Sequence, residues 1–102
     1  MREIGDPVGQ GNTLTTIGNV HYSEGRGEDA MAMWAEAIEI YDKIGASTQA
    51  ATTRWNMGVL LASAGQRDEA RPLLQAQVDY YAEIGHAETQ ARAGRMKQLL
   101  SE

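Results

Sequence analysis

Several features are missing from this chain of 102 residues, and each absence excludes a class of protein. Cysteine is absent, which excludes a disulfide framework, a thiolate nucleophile and a cysteine zinc site. No apolar run approaches the ~20 residues that a bilayer-spanning helix needs. The N-terminus also lacks the apolar segment of a secretory signal. We therefore expect a soluble cytoplasmic protein that forms one domain or one part of a repeat array.

The chain also contains fewer basic than acidic residues. The chain has 9 Lys and Arg residues against 14 Asp and Glu residues, which gives a net charge of -5. Because the binding of phosphates requires a basic patch, this balance argues against nucleic acid as the partner. It argues equally against an anionic membrane surface. Protein or peptide partners remain.

The chain does contain an internal repeat with a period of 40 residues. The pair Ile-Gly occurs three times and ends at Gly5, Gly45 and Gly85. The same shift aligns four further pairs, Gly18 with Gly58, Gly25 with Gly65, Ala30 with Ala70, and Tyr41 with Tyr81. Such self-similarity is typical of stacked structural units, each too small to bury its own apolar face.

The repeated glycines predict where helices end and where they cross. Gly25 and Gly65 follow helical patterns and precede acidic pairs, as expected of a glycine that ends one helix before the next begins. Gly45 has the same role in the second helix of its repeat. Gly18 and Gly58 fall inside helices, where glycine costs about 0.5–1 kcal/mol relative to alanine. Close approach of another helix explains them, so each repeat is predicted to be an antiparallel helix pair.

The apolar spacing predicts the same architecture. One predicted helix face carries residues at helical intervals, namely Ala30, Met33, Trp34, Ala37, Ile38 and Tyr41. We expect helices at about 7–24, 28–43, 47–64, 68–83 and 87–100. Pro72 predicts either a late start or a slight kink in the fourth helix. The fold class is all-α, an antiparallel helix-pair solenoid of about two and a half repeats with a C-terminal closing helix. Residues 1–102 form one domain, with repeats at about 5–44 and 45–84 and the closing helix at about 85–102.

These residues resemble a tetratricopeptide repeat. The first copy of the motif reads Leu14-x2-Ile17-Gly18-x2-His21, followed by Ala30-x3-Trp34-x2-Ala37. The second copy reads Arg54-x2-Met57-Gly58-x2-Leu61, followed by Ala70-x3-Leu74-x2-Gln77. His21 and Leu61 replace the usual tyrosine. The period exceeds the common one of about 34 residues. In this respect the chain is similar to kinesin light chains and to bacterial signalling proteins with long repeats.

The two ends of the chain leave alternatives open. Residues 2–5 align with the last turn of a second helix, whereas the C-terminal segment aligns with a first helix. The chain is then either the C-terminal piece of a longer array or a small protein that covers its N-terminal face by self-association.

No catalytic constellation is apparent. His21 lies on the predicted core face of its helix, and His86 begins a helix where we expect it to be solvated. No HExxH segment or phosphate-binding loop occurs. The sequence therefore predicts no enzyme, no cofactor and no metal site.

The resemblance implies a binding surface instead, because first helices line the concave side of such arrays. The residues expected there are Asn12, Thr15, Asn19, Tyr22, Thr52, Trp55, Asn56 and Val59. Asparagine amides next to the Leu-Gly step often clamp an extended peptide in long-period relatives, although solvated surface amides are the alternative. Trp55 is expected to be exposed in the groove, the alternative being that it packs under the C-terminal helix.

The predicted function is therefore a protein–protein interaction module that binds a peptide or partner segment in the concave groove. One alternative is a self-assembling unit that forms a homodimer or larger homo-oligomer through its N-terminal face. Another is a sensory fragment of a larger signalling protein. The run Trp55–Gly65 is apolar nearly all round, so a partner, another copy or the closing helix must cover it.

Overall fold

A computed structural model of the chain describes residues 6–101, which form five helices. They are α1 (Pro7–Ser23), α2 (Gly27–Ile44), α3 (Ser47–Ser63), α4 (Arg67–Ile84) and α5 (Thr89–Leu100). The all-α prediction is confirmed. The predicted helix ends agree to within one residue except at α5, which begins at Thr89 rather than at 87. No helix in the described part of the chain is long and apolar enough to cross a membrane.

The start of α1 is set by two neighbouring residues. Asp6 is the N-cap, and its Oδ1 accepts a hydrogen bond of 3.1 Å from the backbone N–H of Gly9. Pro7 follows at the first helical position, where its fixed φ suits the helix and no donor is lost. The other helix starts described here have no such side-chain cap at Arg26, Gln66 or Glu88.

Glycine ends the first four helices in the same way. Gly25, Gly45, Gly65 and Gly85 have φ values of 78°, 73°, 82° and 69°, in the left-handed region. The residue after each glycine donates its N–H to a carbonyl five residues back, as Ala46 does to Tyr41 at 2.9 Å. This closing bond defines the Schellman motif. The predicted helix-ending role of these glycines is confirmed, whereas Gly5 lies outside the described residues.

Pro72 lies inside α4, five residues after the start of the helix at Arg67. The expectation of a late helix start is therefore wrong. The helix begins early enough that Pro72 falls in its second turn, where proline cannot donate to the backbone ladder. The alternative of a slight kink stays a prediction.

The described residues fall into two compact units, 6–53 and 54–101. The first unit contains α1, α2 and the start of α3. Gly11 faces the ring of Tyr41 and Gly18 faces the indole of Trp34, so that residue numbers rise along α1 as they fall along α2. The two helices are therefore antiparallel, with small residues at their crossing as predicted.

The beginning of α3 completes the core of the first unit. Ala37, Tyr41 and Ala50 form a buried cluster, against which Leu14 and Ala46 pack. Ala50 and Thr53 are buried at 2% and 1% exposure, so the start of α3 is covered within this unit. This cluster thus surrounds the ring of Tyr41 with mainly small side chains.

The second unit contains the rest of α3 together with α4 and α5. Gly58 faces Leu74, the equivalent of the contact between Gly18 and Trp34 in the first unit. The buried cluster of this unit comprises Trp55, Ala62, Ala70, Leu74 and Val78. Side chains of α5 pack against that cluster, namely Ala93, Met96, Leu99 and Leu100. The closing helix therefore covers part of the apolar run of α3. The assignment of residues 1–102 to a single domain stays a prediction.

Candidate partner-binding site

A chain of side-chain hydrogen bonds connects three helices of the first unit. The hydroxyl of Tyr41 donates to Oδ1 of Asn12 at 2.6 Å. The hydroxyl of Thr15 lies 3.3 Å from the Tyr41 hydroxyl and 3.4 Å from the hydroxyl of Thr53. Thr53 in turn donates to the carbonyl oxygen of Gln49 at 2.9 Å. Tyr41 and Thr53 are almost fully buried, so these bonds satisfy polar groups that would otherwise be costly to bury.

This network forms the floor of an open hollow of about 340 Å³, which we name the threonine pocket. Its lining comprises Asn12, Thr15, Thr16, Tyr41, Thr48, Gln49, Thr52 and Thr53. Thr48 and Thr52 are exposed and lie one helical turn apart on α3, whereas Asn12 and Thr16 are exposed on α1. Two successive first helices of the repeat thus supply nearly the whole lining, and Tyr41 of α2 anchors it.

The chemistry of the threonine pocket is polar and uncharged. None of its lining residues carries a charge at neutral pH. Each threonine hydroxyl can donate one hydrogen bond and accept two, and the amides of Asn12 and Gln49 can do both. The pocket can therefore match neutral groups that present a donor and an acceptor together, as a peptide unit does.

Further along α1, two other predicted site residues surround the indole of Trp34. The indole N–H donates to Oδ1 of Asn19 and to the backbone carbonyl of Thr15, both at 3.2 Å. The ring of Tyr22 is tilted against the indole, with the centroids 5.9 Å apart. Asn19 and Tyr22 are exposed, while Trp34 beneath them is 1% exposed. The core aromatic ring thus positions two surface side chains.

In the second unit, the expected exposure of Trp55 is wrong. Trp55 is only 7% exposed and belongs to the buried cluster against which α5 packs. The guanidinium carbon of Arg92 lies 4.9 Å from the centroid of the indole, in cation–π geometry. The alternative that Trp55 packs beneath the C-terminal helix is therefore correct.

Asn56 and Val59 also lie in the second unit, and both are half-buried. Val59 packs against the buried cluster together with Leu61 and side chains of α5. Their participation in partner binding stays a prediction.

Of the eight predicted site residues, the first unit brings Asn12, Thr15 and Thr52 together in one pocket. The sequence prediction missed Thr48 and Gln49. The available signal was the clustering of threonines in both first helices, in the segment "NTLTT" in the middle of α1 and the segment "STQAATT" at the start of α3. Tyr41 was expected only as a core residue, and its hydroxyl reaches the pocket.

The histidines take two different positions. His21 is half-buried, as expected for a residue on the core face of α1, and its Nδ1 has no hydrogen-bond partner among residues 6–101. His86 is exposed and stacks on Tyr81, with the ring centroids 4.0 Å apart. Among the side chains that are described, no group of three or more His, Asp and Glu could hold a metal ion.

Antiparallel helix pairs that repeat every 40 residues, with glycine at each crossing, define a helical-repeat protein. The family model of the tetratricopeptide repeat matches residues 9–83, which is most of the chain. The chain therefore belongs to the tetratricopeptide repeat family. No curated protein and no solved structure matches the chain significantly. The finer likeness to kinesin light chains stays a prediction.

Proposed function

We propose that the chain is a protein-interaction module that holds an extended segment of a partner protein over the threonine pocket. Proteins of the tetratricopeptide repeat family generally mediate protein–protein interaction and are typically not enzymes. The observation that carries the proposal is the pocket lining, in which hydroxyls and amides of α1 and α3 are gathered around Tyr41. An extended peptide presents alternating N–H and C=O groups, and hydroxyl groups can pair with either.

The absence of charge in the lining favours a neutral stretch of the partner over an acidic or basic one. A charged side chain would find no opposite charge among the lining residues, so it would lose part of its hydration there without forming an ion pair. Asn19 and Tyr22 extend the proposed contact surface further along α1. Trp55 is not part of it, because its indole is buried.

The test uses substitutions that remove a hydroxyl and preserve shape. A peptide library is screened against the unchanged chain. Calorimetry then compares the affinity of the tightest ligand for the unchanged chain with its affinity for Thr48→Val and Thr52→Val. Each variant is expected to weaken binding by roughly 2- to 12-fold, the range for one net hydrogen bond. Valine keeps the β-branch, so the propensity of α3 for helix changes little.

Thr13→Val is the matched control, because Thr13 is exposed on α1 but does not line the threonine pocket. We expect this variant to bind like the unchanged chain. Equal binding by all three variants would refute the threonine pocket as the contact site.

A second candidate function is self-association through α1, which also rests on a specific observation. Ile17 and Val20 are 40% and 48% exposed on this helix. Thr13 of α1 is exposed, whereas its counterpart 40 residues later, Thr53, is buried. The face of α1 that carries Thr13 and Ile17 therefore exposes both apolar and polar side chains. A homodimer interface exposes such a face when the subunits are apart.

Light scattering behind size exclusion, over a range of protein concentrations, tests this candidate. We expect a homodimer whose population falls in the variant Ile17→Glu. The control is Ile84→Glu, because Ile84 is 53% exposed near the end of α4 and the charge change is identical. A monomer at every concentration would exclude self-association.

A further inference from the structure

We propose that the second unit binds a small organic anion through a carboxylate or phosphate group, in a hollow that we name the arginine pocket. The pocket has a volume of about 340 Å³ and is lined chiefly by Ser63, Gly65, Arg67, Arg95, Gln98 and Leu99. This site goes beyond the proposed function, because it lies in the other unit and selects charge instead of neutral peptide groups.

Two guanidinium groups without a carboxylate distinguish this hollow from the rest of the molecule. Arg67 and Arg95 line it, and no Asp or Glu does. Within residues 6–101 neither arginine forms an ion pair. In a chain with a net charge of -5, two cations that share one hollow without an internal counterion are unexpected. An external oxyanion would supply the missing counterion.

Arg67 is partly held by its surroundings, whereas Arg95 is exposed and makes one hydrogen bond on the surface of α5. Nη1 of Arg95 donates to Oε1 of Gln98 at 3.2 Å, one turn further along α5. Arg67 is half-buried, and its Nε is fully buried with no acceptor among the residues described. Half-burial therefore restrains the stem of Arg67, whereas its buried Nε is itself out of reach of a ligand in the hollow. Side chains that are already positioned lose less conformational entropy when a ligand binds.

The position of Arg67 adds a separate argument. It is the first residue of α4, where the helix macrodipole disfavours positive charge. The N-cap Gln66 makes no side-chain hydrogen bond to the first turn. Asp68 and Glu69 already supply negative charge to this first turn, but neither lines the arginine pocket, so an oxyanion in the pocket would pair with Arg67 directly.

The size and lining of the arginine pocket indicate what carries the oxyanion. Its volume is at the lower end of the range for small-molecule sites, roughly 300–1,000 Å³, and exceeds the space that one oxyanion fills. Leu99 and Ala62 add apolar surface to the lining. A ligand with one or two oxyanion groups on a short carbon chain fits this combination.

The test is a nuclear magnetic resonance titration of the full chain at constant ionic strength, with inorganic phosphate and with glutarate as separate probes. We expect saturable shifts at the backbone amides of Gly65, Arg67 and Gln98 with at least one probe. Arg67→Gln and Arg95→Gln are each expected to weaken the binding about tenfold, as loss of one charge-assisted hydrogen bond would. Saturation by glutarate alone identifies a carboxylate ligand, and saturation by phosphate alone identifies a phosphate ligand.

Arg71→Gln is the matched control, since Arg71 is exposed on the same helix, lies outside the arginine pocket and carries the same charge. No saturable shift with either probe would overturn the proposal. So would equal weakening by Arg71→Gln, because the effect would then be one of net charge. Circular dichroism of each variant establishes that it is folded. If Arg67→Gln does not fold, the binding measured for Arg95→Gln alone tests the proposal. Arg95 is exposed, so its substitution should leave the fold intact.

Discussion

The first and second units are built from the same kind of helix pair, but their buried tryptophans lie on different helices of that pair. In the first unit the buried indole belongs to Trp34 of α2, whose equivalent 40 residues later is Leu74. In the second unit the buried indole belongs to Trp55 of α3, whose equivalent in α1 is Thr15. Gly18 and its equivalent in α3 preserve the helix crossing in both.

This exchange of positions determines the chemistry of each surface. Where the ring lies on the second helix, its N–H donates to the side chain of Asn19 and to the backbone carbonyl of Thr15 on the first helix. Where the ring lies on the first helix, it belongs to an apolar cluster against which α5 packs, and Arg92 of α5 lies over the ring. The repeat preserves the helix crossing in both units, while the buried tryptophan contacts polar groups of α1 in the first unit and belongs to an apolar cluster in the second.

The largest expected effect comes from removing the ring of the first unit. Trp34→Ala should lower the free energy of unfolding by about 3–5 kcal/mol, since it empties a fully buried site. Leu74→Ala, the equivalent change in the second unit, should cost about 2–5 kcal/mol. We expect the tryptophan change to be the more costly, because it also removes the two hydrogen bonds that the indole N–H donates. Urea unfolding followed by circular dichroism measures both. A larger loss in Leu74→Ala would contradict the comparison.

The next effect concerns the helix crossing. A Cβ atom at Gly18 would lie 2.5 Å from Nε1 of Trp34, so the rigid indole would have to move. Gly18→Ala should therefore destabilise the chain by about 1–3 kcal/mol, partly offset by the better helix propensity of alanine.

Gly94→Ala is the control for this change. Gly94 lies within α5 and a Cβ atom there would meet nothing within 4 Å. This variant should raise the free energy of unfolding by about 0.5–1 kcal/mol. Thermal unfolding of the two variants should thus shift in opposite directions, and a shared direction would contradict the close contact at Gly18.

A smaller effect is expected from the tyrosine hydroxyls. Tyr41→Phe removes the hydrogen bond to Asn12 and should cost about 0.5–1.5 kcal/mol of unfolding free energy. Tyr81 occupies the equivalent position in α4, and its hydroxyl has no hydrogen bond within residues 6–101. Tyr81→Phe should therefore change the stability by less than about 0.5 kcal/mol. Equal losses in a urea titration would remove this distinction between the units.

The smallest effect concerns the cation above Trp55. Arg92→Gln should lower the free energy of unfolding by about 0.5–1 kcal/mol, because the guanidinium of Arg92 lies over the indole. Arg71→Gln, which changes the same charge at an exposed position, should have an effect near zero. Urea unfolding that fails to separate the two variants would show that the cation–π contact contributes nothing measurable.

The helices and their ends could be predicted because each is determined by local sequence. Gly25, Gly45, Gly65 and Gly85 adopt the left-handed conformation that ends a helix, and a shift of 40 residues in the sequence already aligned them. The family could be predicted for the same reason, since the motif residues around Gly18 and Trp34 recur at fixed intervals.

The burial of Trp55 could not be predicted with the same success. The apolar pattern of α3 indicates that several sides of the helix are covered, but it does not say by what. Contacts between distant residues, such as that of Arg92 with Trp55, leave no periodic signal in the sequence. The threonine pocket was missed in part for a related reason. The hydroxyl of Tyr41 extends from a core position to a surface hollow, and a helical pattern distinguishes only core from surface.

The distribution of tryptophan has a practical consequence. The chain has only two tryptophans and no phenylalanine, and each unit contains one of the two indoles. The variant Trp34→Phe would leave tryptophan fluorescence from the second unit alone, and Trp55→Phe would leave tryptophan fluorescence from the first alone. Each half of the molecule therefore carries its own optical reporter. Occupation of the threonine pocket and of the arginine pocket could be followed separately in solution, without an attached dye.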